Sequence, residues 1–266
     1  MKHVVITGST RGIGFGLADT FLNLGCAVTL SGRAQSTVDQ AVEKLNKEHA
    51  GQDLDGIACD VREYPQVQAL WKGAFARFGK IDIWINNAGL SGPQTAIWQL
   101  TPEQAQEIVT TNLLGVMYGS MVALEGMLAQ GFGGIYNMEG MGSDGRKLKG
   151  LASYGTTKYA VHYFTECLVK ETRDTPLVIG SLRPGMVITD LINSQYTGRP
   201  QELERVKGIF NLIADRVENV APWMAKQILA NQKSGACINY FTATKLLGRL
   251  LSAPFHKRDL FDQPAS

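Results

Sequence analysis

Short apolar runs alternate with longer amphipathic stretches along this chain, regularly enough to lay out a fold. Val4-Val5-Ile6 is a compact apolar run closed by a glycine-rich turn, the pattern of a buried parallel strand. From Ile13 to Leu24 apolar residues recur at helical spacing through Leu17 and Phe21, and Gly25 ends the stretch. Ala27 to Leu30 predicts a second strand, Val38 to Glu48 a polar amphipathic helix, and Gly56 to Cys59 a third strand closing on Asp60-Val61. A helix from Pro65 to Phe78 leads to a fourth strand, Ile81 to Ile85, which stops at Asn86-Asn87-Ala88-Gly89.

Thr101-Pro102-Glu103 reads as a helix start, with threonine as cap and proline at the first helical position. A longer helix continues through Asn112 to Leu128. Gly134 to Met138 predicts a fifth strand, the segment around Tyr154 a helix to about Arg173, and Leu177 to Leu182 a sixth strand ending at Pro184-Gly185. The polar stretch Ser194 to Glu204 is expected to be mobile, and one more strand is expected at Ala236 to Tyr240. Successive parallel strands need crossover helices, so strict β/α alternation predicts a doubly wound parallel sheet with helices on both faces. We expect a single α/β domain over residues 1–266, with about 190–266 covering the substrate.

Composition narrows the function classes. A net charge of +2 gives no general reason to expect nucleic acid or an acidic polymer as partner. Cys26, Cys59, Cys167 and Cys237 lie far apart without metal-ligand or redox spacing, so they read as reduced thiols and no metal is expected. No signal or transit segment is evident and no apolar run reaches bilayer length, which together suggest a cytoplasmic location.

Two spacings carry chemistry. Gly8-x-x-x-Gly12-x-Gly14 falls between the first strand and the first helix, where a helix N-terminus offers unpaired N–H groups and a positive dipole end to a pyrophosphate. Gly8 makes the tight turn, Gly12 admits the phosphates and Gly14 lets helix pack on strand. After the second strand the chain has Ser31-Gly32-Arg33 and no carboxylate, and Arg11 lies in the glycine loop. Guanidinium there favours the 2′-phosphate of NADP(H) over the free ribose of NAD(H). A solvated loop charge is the plain alternative for either arginine. Asp60 could bond the adenine edge or simply end a strand.

The second spacing is Tyr154-x-x-x-Lys158, which puts both side chains on one helix face. An ammonium beside a phenol stabilises phenolate, so Lys158 is expected to draw the Tyr154 pKa down from about 10.

In this order, Thr7-Gly8-x-x-x-Gly12-Ile13-Gly14, Asp60, Asn86-Asn87-Ala88-Gly89, Asn112, Tyr154-x-x-x-Lys158 and Pro184-Gly185-Met186-Val187-Ile188-Thr189 resemble the short-chain dehydrogenase/reductase family nearly end to end. The resemblance implies a Rossmann-type domain reducing an aldehyde or ketone, or oxidising an alcohol. Tyr154 would exchange the proton, Lys158 would also hold the nicotinamide ribose, and Asn112 would position a water in a proton relay. Cofactor contacts would come from Gly8, Ser9, Arg11, Gly12, Ile13, Gly14, Arg33, Asp60, Val61, Asn87, Ala88, Gly89, Pro184, Gly185, Val187 and Thr189. A homodimer or homotetramer is expected on the same ground.

One element departs from the family pattern. The serine usually found thirteen residues before the tyrosine corresponds to Met141 by counting back, or to Gly140 by counting forward from Asn137. Ser143 is the nearest hydroxyl and would orient the substrate or only cap its loop; Glu139 is the other polar group at hand. Asn137 to Ser143, Ser181 to Leu191 and Phe210 to Asp215 resemble the chlorophyll b reductase branch, whose members reduce a ring formyl group. At the C-terminus Leu246, Leu247, Leu250, Leu251 and Phe255 form an apolar face, with Lys245, Arg249, Lys257 and Arg258 around it. Such a helix can touch an anionic membrane, cover the pocket or pack on another subunit. An NAD-dependent alcohol dehydrogenase and a nucleotide-binding regulator without turnover are the rival readings.

Overall fold

The computed structural model describes residues 1–189, 200–252 and 258–260. Its main strands are β1 (His3–Ile6), β2 (Ala27–Gly32), β3 (Leu54–Ala58), β4 (Ile83–Asn86), β5 (Gly133–Met138), β6 (Leu177–Arg183) and β9 (Ala236–Asn239). These seven form one parallel sheet in the order β3-β2-β1-β4-β5-β6-β9. Around them run α1 (Gly12–Asn23), α2 (Gln35–Glu48), α3 (Tyr64–Phe78), α4 (Pro102–Val109), α5 (Gly115–Gln130) and α6 (Ala152–Glu171). The expected doubly wound α/β architecture is present.

Alternation along β1 shows how the core divides. Val4 and Ile6 pack with Leu17, Phe21 and Leu22 of α1 and with Val220, Met224 and Ile228 of α8 (Val217–Ala230). Val5 points to the other face, toward Leu70 and Trp71 of α3, Trp84 of β4 and Ile135 of β5. Side chains alternate across a strand, so a short apolar run serves two cores at once.

β1 pairs with β2 on one side and β4 on the other, so the strand order reverses there. A crevice at the carboxyl ends of the strands beside such a reversal is the usual ligand position in this architecture. Buried amides stiffen the neighbourhood. Asn86 Nδ2 donates to Ser120 Oγ at 3.0 Å and to Asn137 Oδ1 at 2.8 Å, while Asn137 Nδ2 donates to Thr165 Oγ1 at 3.0 Å.

Several expectations are refined. Thr101 caps α4 in a reciprocal capping box with Gln104. The helix through Asn112 contains a π turn at Thr110–Leu114. From Pro102 to Gln130 the helical run is long and apolar enough to cross a membrane, contrary to the expectation that no such run exists. It lies against the sheet, with Val116, Val122, Ala123 and Met127 buried. A second, two-stranded sheet joins β7 (Met186–Ile188) and β8 (Ala214–Arg216). Of the stretch expected to be mobile, positions 194–199 lie outside the described residues, whereas Pro200 opens α7 (Pro200–Ile213).

The C-terminal region changes the picture most. Lys245 and Arg249 belong to α9 (Ala243–Ser252), which leaves Leu247, Leu250 and Leu251 exposed. Arg249 forms an ion pair with buried Asp215, Arg258 reaches the same carboxylate at 3.1 Å, and Lys245 lies 3.8 Å from it. These three cations face inward rather than toward an anionic surface. They tie α9 and Arg258 to β8. Phe255 and Lys257 lie outside the described residues.

Candidate active site

A cleft of about 2240 Å3 opens at the carboxyl ends of the strands. Single-ligand pockets occupy about 300–1,000 Å3, so there is room for a dinucleotide together with a substrate.

At one end the glycine loop shapes the cleft. Gly8 (φ +62°) and Gly12 (φ +61°) occupy the left-handed region that side chains avoid. A Cβ on Gly8 would lie 2.7 Å from Ala88 Cα, and one on Gly14 would lie 2.5 Å from Asn87 Nδ2. Asn87 Nδ2 donates to the carbonyls of Thr7 and Gly8, and Thr7 Oγ1 accepts from the N–H groups of Asn87 and Ala88. The loop after β4 is thereby stapled to the glycine loop. Arg11 stands at the N-cap of α1 and its side chain does not cap the helix. The first-turn amides therefore remain available to a phosphate.

The residues present fit a dinucleotide. Gly8, Arg11, Gly12, Ile13, Gly14, Arg33, Asp60, Val61, Asn87, Ala88 and Gly89 line one part of the cleft, and Pro184, Gly185, Val187 and Thr189 another. Ser9 is fully buried, donating to the Ile6 carbonyl at 2.7 Å and accepting from Ser31 N–H at 3.0 Å, so it braces the loop from behind. Arg33 is exposed at the end of β2 and pairs with Glu107 at 3.6 Å. Asp60 accepts from Arg62 through both carboxylate oxygens, and this bond holds its carboxyl below the usual range. An adenine would have to share Asp60 with that guanidinium.

At the other end Tyr154 and Lys158 share one face of α6, and both line the cleft. Lys158 Nζ donates to the Met138 carbonyl at 3.0 Å and lies 5.8 Å from the centroid of the Tyr154 ring. Burial pushes the phenol up to about 12, although part of the ring faces the cleft. The expected lowering is not what this arrangement gives, because desolvation dominates and the ammonium is aimed at a carbonyl. Lys158 itself is lowered to about 8 by burial, with Glu139 opposing the shift. At neutral pH the phenol keeps its proton and the amine remains mostly charged.

Asn112 is fully buried within the π turn. Its Oδ1 accepts from Leu90 N–H at 2.8 Å, and its Nδ2 donates to the Leu90 carbonyl at 2.8 Å and to Thr157 Oγ1 at 3.2 Å. Thr157 donates in turn to the Tyr154 carbonyl at 2.7 Å. The Asn112 side chain thus braces the Leu90 loop against the helix that carries the phenol.

The geometry identifies Gly140 as the residue against the phenol: a Cβ there would lie 2.3 Å from Tyr154 Oη. Ser143 is buried and does not line the cleft. Met141 is exposed on the lining. Three residues of this network went unread in the sequence: Thr157, which joins Asn112 to the Tyr154 carbonyl, and His162 and Arg183, which hold Glu139. The run of four-residue intervals from Tyr154 through Lys158 to His162 was the available signal.

Comparisons with known proteins agree with this geometry. The family profile described as short chain dehydrogenase matches residues 2–200. The chlorophyll(ide) b reductase NOL, chloroplastic, of Oryza sativa subsp. japonica is 38% identical over 94% of this chain and 74% of that protein. The probable chlorophyll(ide) b reductase NYC1, chloroplastic, of Arabidopsis thaliana is 34% identical over 98% of this chain and 55% of its own length. Among solved structures, a single-substitution variant of actinorhodin polyketide ketoreductase with NADPH has a TM-score of 0.80 and 27% identity, covering 90% of this chain and 95% of that one.

Proposed function

Because this chain belongs to the short-chain dehydrogenase family, and is an NAD(P)-dependent oxidoreductase, we propose that it uses NADPH to reduce a carbonyl, and that the carbonyl is a formyl group on a tetrapyrrole ring. The observation that carries the reading is the Tyr154 hydroxyl on the same cleft as the open N-terminus of α1. NADPH, when bound, supplies hydride. The chain's part is to hold the pyrophosphate on the α1 amides, to hold the 2′-phosphate with Arg33 and Arg11, and to deliver a proton from Tyr154 Oη to the carbonyl oxygen.

Reduction is the direction the electrostatics favour. A phenol held protonated by burial is ready to act as an acid, whereas alcohol oxidation requires it to be ionised first. The developing negative charge on oxygen would be met by the Lys158 ammonium, 5.8 Å from the Tyr154 ring centroid, across surroundings where such an attraction is stronger than in water. The tetrapyrrole assignment rests on the identity to the plant reductases over nearly the whole chain. Oligomerisation through the exposed Met121, Tyr159 and Tyr163 of α5 and α6 is part of the same proposal.

The test is NADPH oxidation against formyl-bearing tetrapyrroles, small aldehydes, ketones and quinones, with NADH run in parallel. Preference for NADPH and for the formyl tetrapyrrole is the expected result. Faster turnover of a small ketone would remove the substrate assignment, and inertness toward the whole panel would remove the reductase reading.

A further inference from the structure

The functional face of α6 continues beyond Lys158. Tyr154, Lys158, His162 and Glu166 follow at four-residue intervals and form one stripe along the helix. His162 Nδ1 lies 3.0 Å from Glu139 Oε1, and its Nε2 lies 3.6 Å from Glu166 Oε1. Glu139 is the first residue after β5, and its side chain has 0% exposure. Its other oxygen accepts from Arg183 Nε at the end of β6. Lys158 donates to the carbonyl of Met138, the residue immediately before Glu139. A buried carboxylate, clamped from two elements, therefore adjoins the lysine's anchor.

We propose that Glu139 is a positioning residue for the reaction, its buried charge, fixed by Arg183 and His162, keeping Lys158 an ammonium beside Tyr154. This rests on the roles given above to Tyr154 and Lys158. A buried amine with no counter-charge gives up its proton. Burial already lowers Lys158 to about 8, and Glu139 is the charge that opposes further loss. The clamp matters as much as the charge, because an unpaired buried carboxylate would itself take up a proton.

Other charges bear on the network. Arg183 faces Glu139, and Asp144 in the loop after β5 and Cys237 on β9 act on that guanidinium. Glu166 on α6 faces His162 from the surface side. Through its contact with Glu139, the half-buried His162 joins this network to the solvent side of α6.

The experiment follows lysine side-chain NMR signals of the cofactor-free protein through a pH titration, with the Lys158 signal assigned by its loss in Lys158→Arg. In the wild type it should titrate near pH 8. Glu139→Gln should lower that midpoint by about one unit, and Glu139→Asp should restore most of the difference. His162→Arg, at a half-buried position, keeps the carboxylate but places a permanent cation beside it. It should move the midpoint the same way by less, and it carries the test if Glu139→Gln does not fold. The alkaline limb of kcat/KM should move with the NMR midpoint. A Lys158 midpoint unmoved in these variants overturns the proposal. Failure of the reductase reading would show differently, as absent turnover with the NMR shift still present.

Discussion

Restoring a serine at position 140 should damage this enzyme, although a hydroxyl near that point is the usual family feature. A Cβ on Gly140 would sit 2.3 Å from Tyr154 Oη and 3.3 Å from Lys158 Cγ. Ordinary contact begins at 3.4 Å, so Gly140→Ser requires the phenol oxygen to retreat by about 1.1 Å. The tyrosine backbone is held by Thr157, and Thr157 by buried Asn112, so the retreat must come from the ring swinging into the cleft and away from its position. Misplacing a reacting group by about 1 Å costs on the order of 100-fold in rate, and that is the expected fall in kcat. NADPH affinity, read by cofactor fluorescence, should hardly change, because Gly140 lies at the tyrosine end of the cleft. Thermal melting of the variant checks that the loss is not unfolding. Turnover equal to or faster than wild type in Gly140→Ser would show that the phenol does not need this space, and the reasoning would fail.

Three further outcomes follow from the same geometry. Arg33→Asp should weaken NADPH by about 10- to 100-fold, the worth of a charged hydrogen bond, and leave NADH nearly unchanged; equal effects on both would remove the 2′-phosphate contact. Reduction should be steady through neutral pH and decline as pH rises through about 8, because Lys158, lowered by burial, loses its proton there. A rate still level about two units higher would contradict this. Asn112→Ala should leave the Leu90 N–H and carbonyl without their side-chain partners. Both Leu90 groups are only partly buried, so the expected cost is about 1 kcal/mol in all, read by denaturant unfolding, and a variant as stable as wild type would show that the brace carries no weight.

The glycine loop and the Tyr154-Lys158 pair were legible because backbone sterics and helical spacing constrain them locally. Gly8 and Gly12 need positive φ, and Gly14 has no room for a Cβ, whatever the rest of the chain does. Strand edges were less legible because pairing sets them: β3 begins at Leu54 through its register with Val28, and β4 begins at Ile83 opposite Val4. The small β7–β8 sheet was hard to see because β7 is an apolar run of only three residues and β8 includes Asp215 and Arg216.

Long-range electrostatics were the least legible part. The direction of the Tyr154 shift depends on how deeply the hydroxyl is desolvated and on which acceptor Lys158 chooses, and the lysine's acceptor is a β5 carbonyl. Glu139 meets Arg183 only because β5 and β6 are neighbours in register, with Met138 opposite Leu182. The basic residues near the C-terminus read as a surface feature in the sequence, because nothing local shows that Asp215 gathers Arg249 and Arg258.

The central claim is that the Tyr154 hydroxyl delivers the proton. Tyr154→Phe removes that oxygen while keeping the ring, so turnover and NADPH affinity can be measured on one protein. The account predicts that turnover drops by about 10²- to 10⁴-fold, the usual worth of a positioned acid, with cofactor affinity retained. Turnover close to wild type in that variant would contradict it.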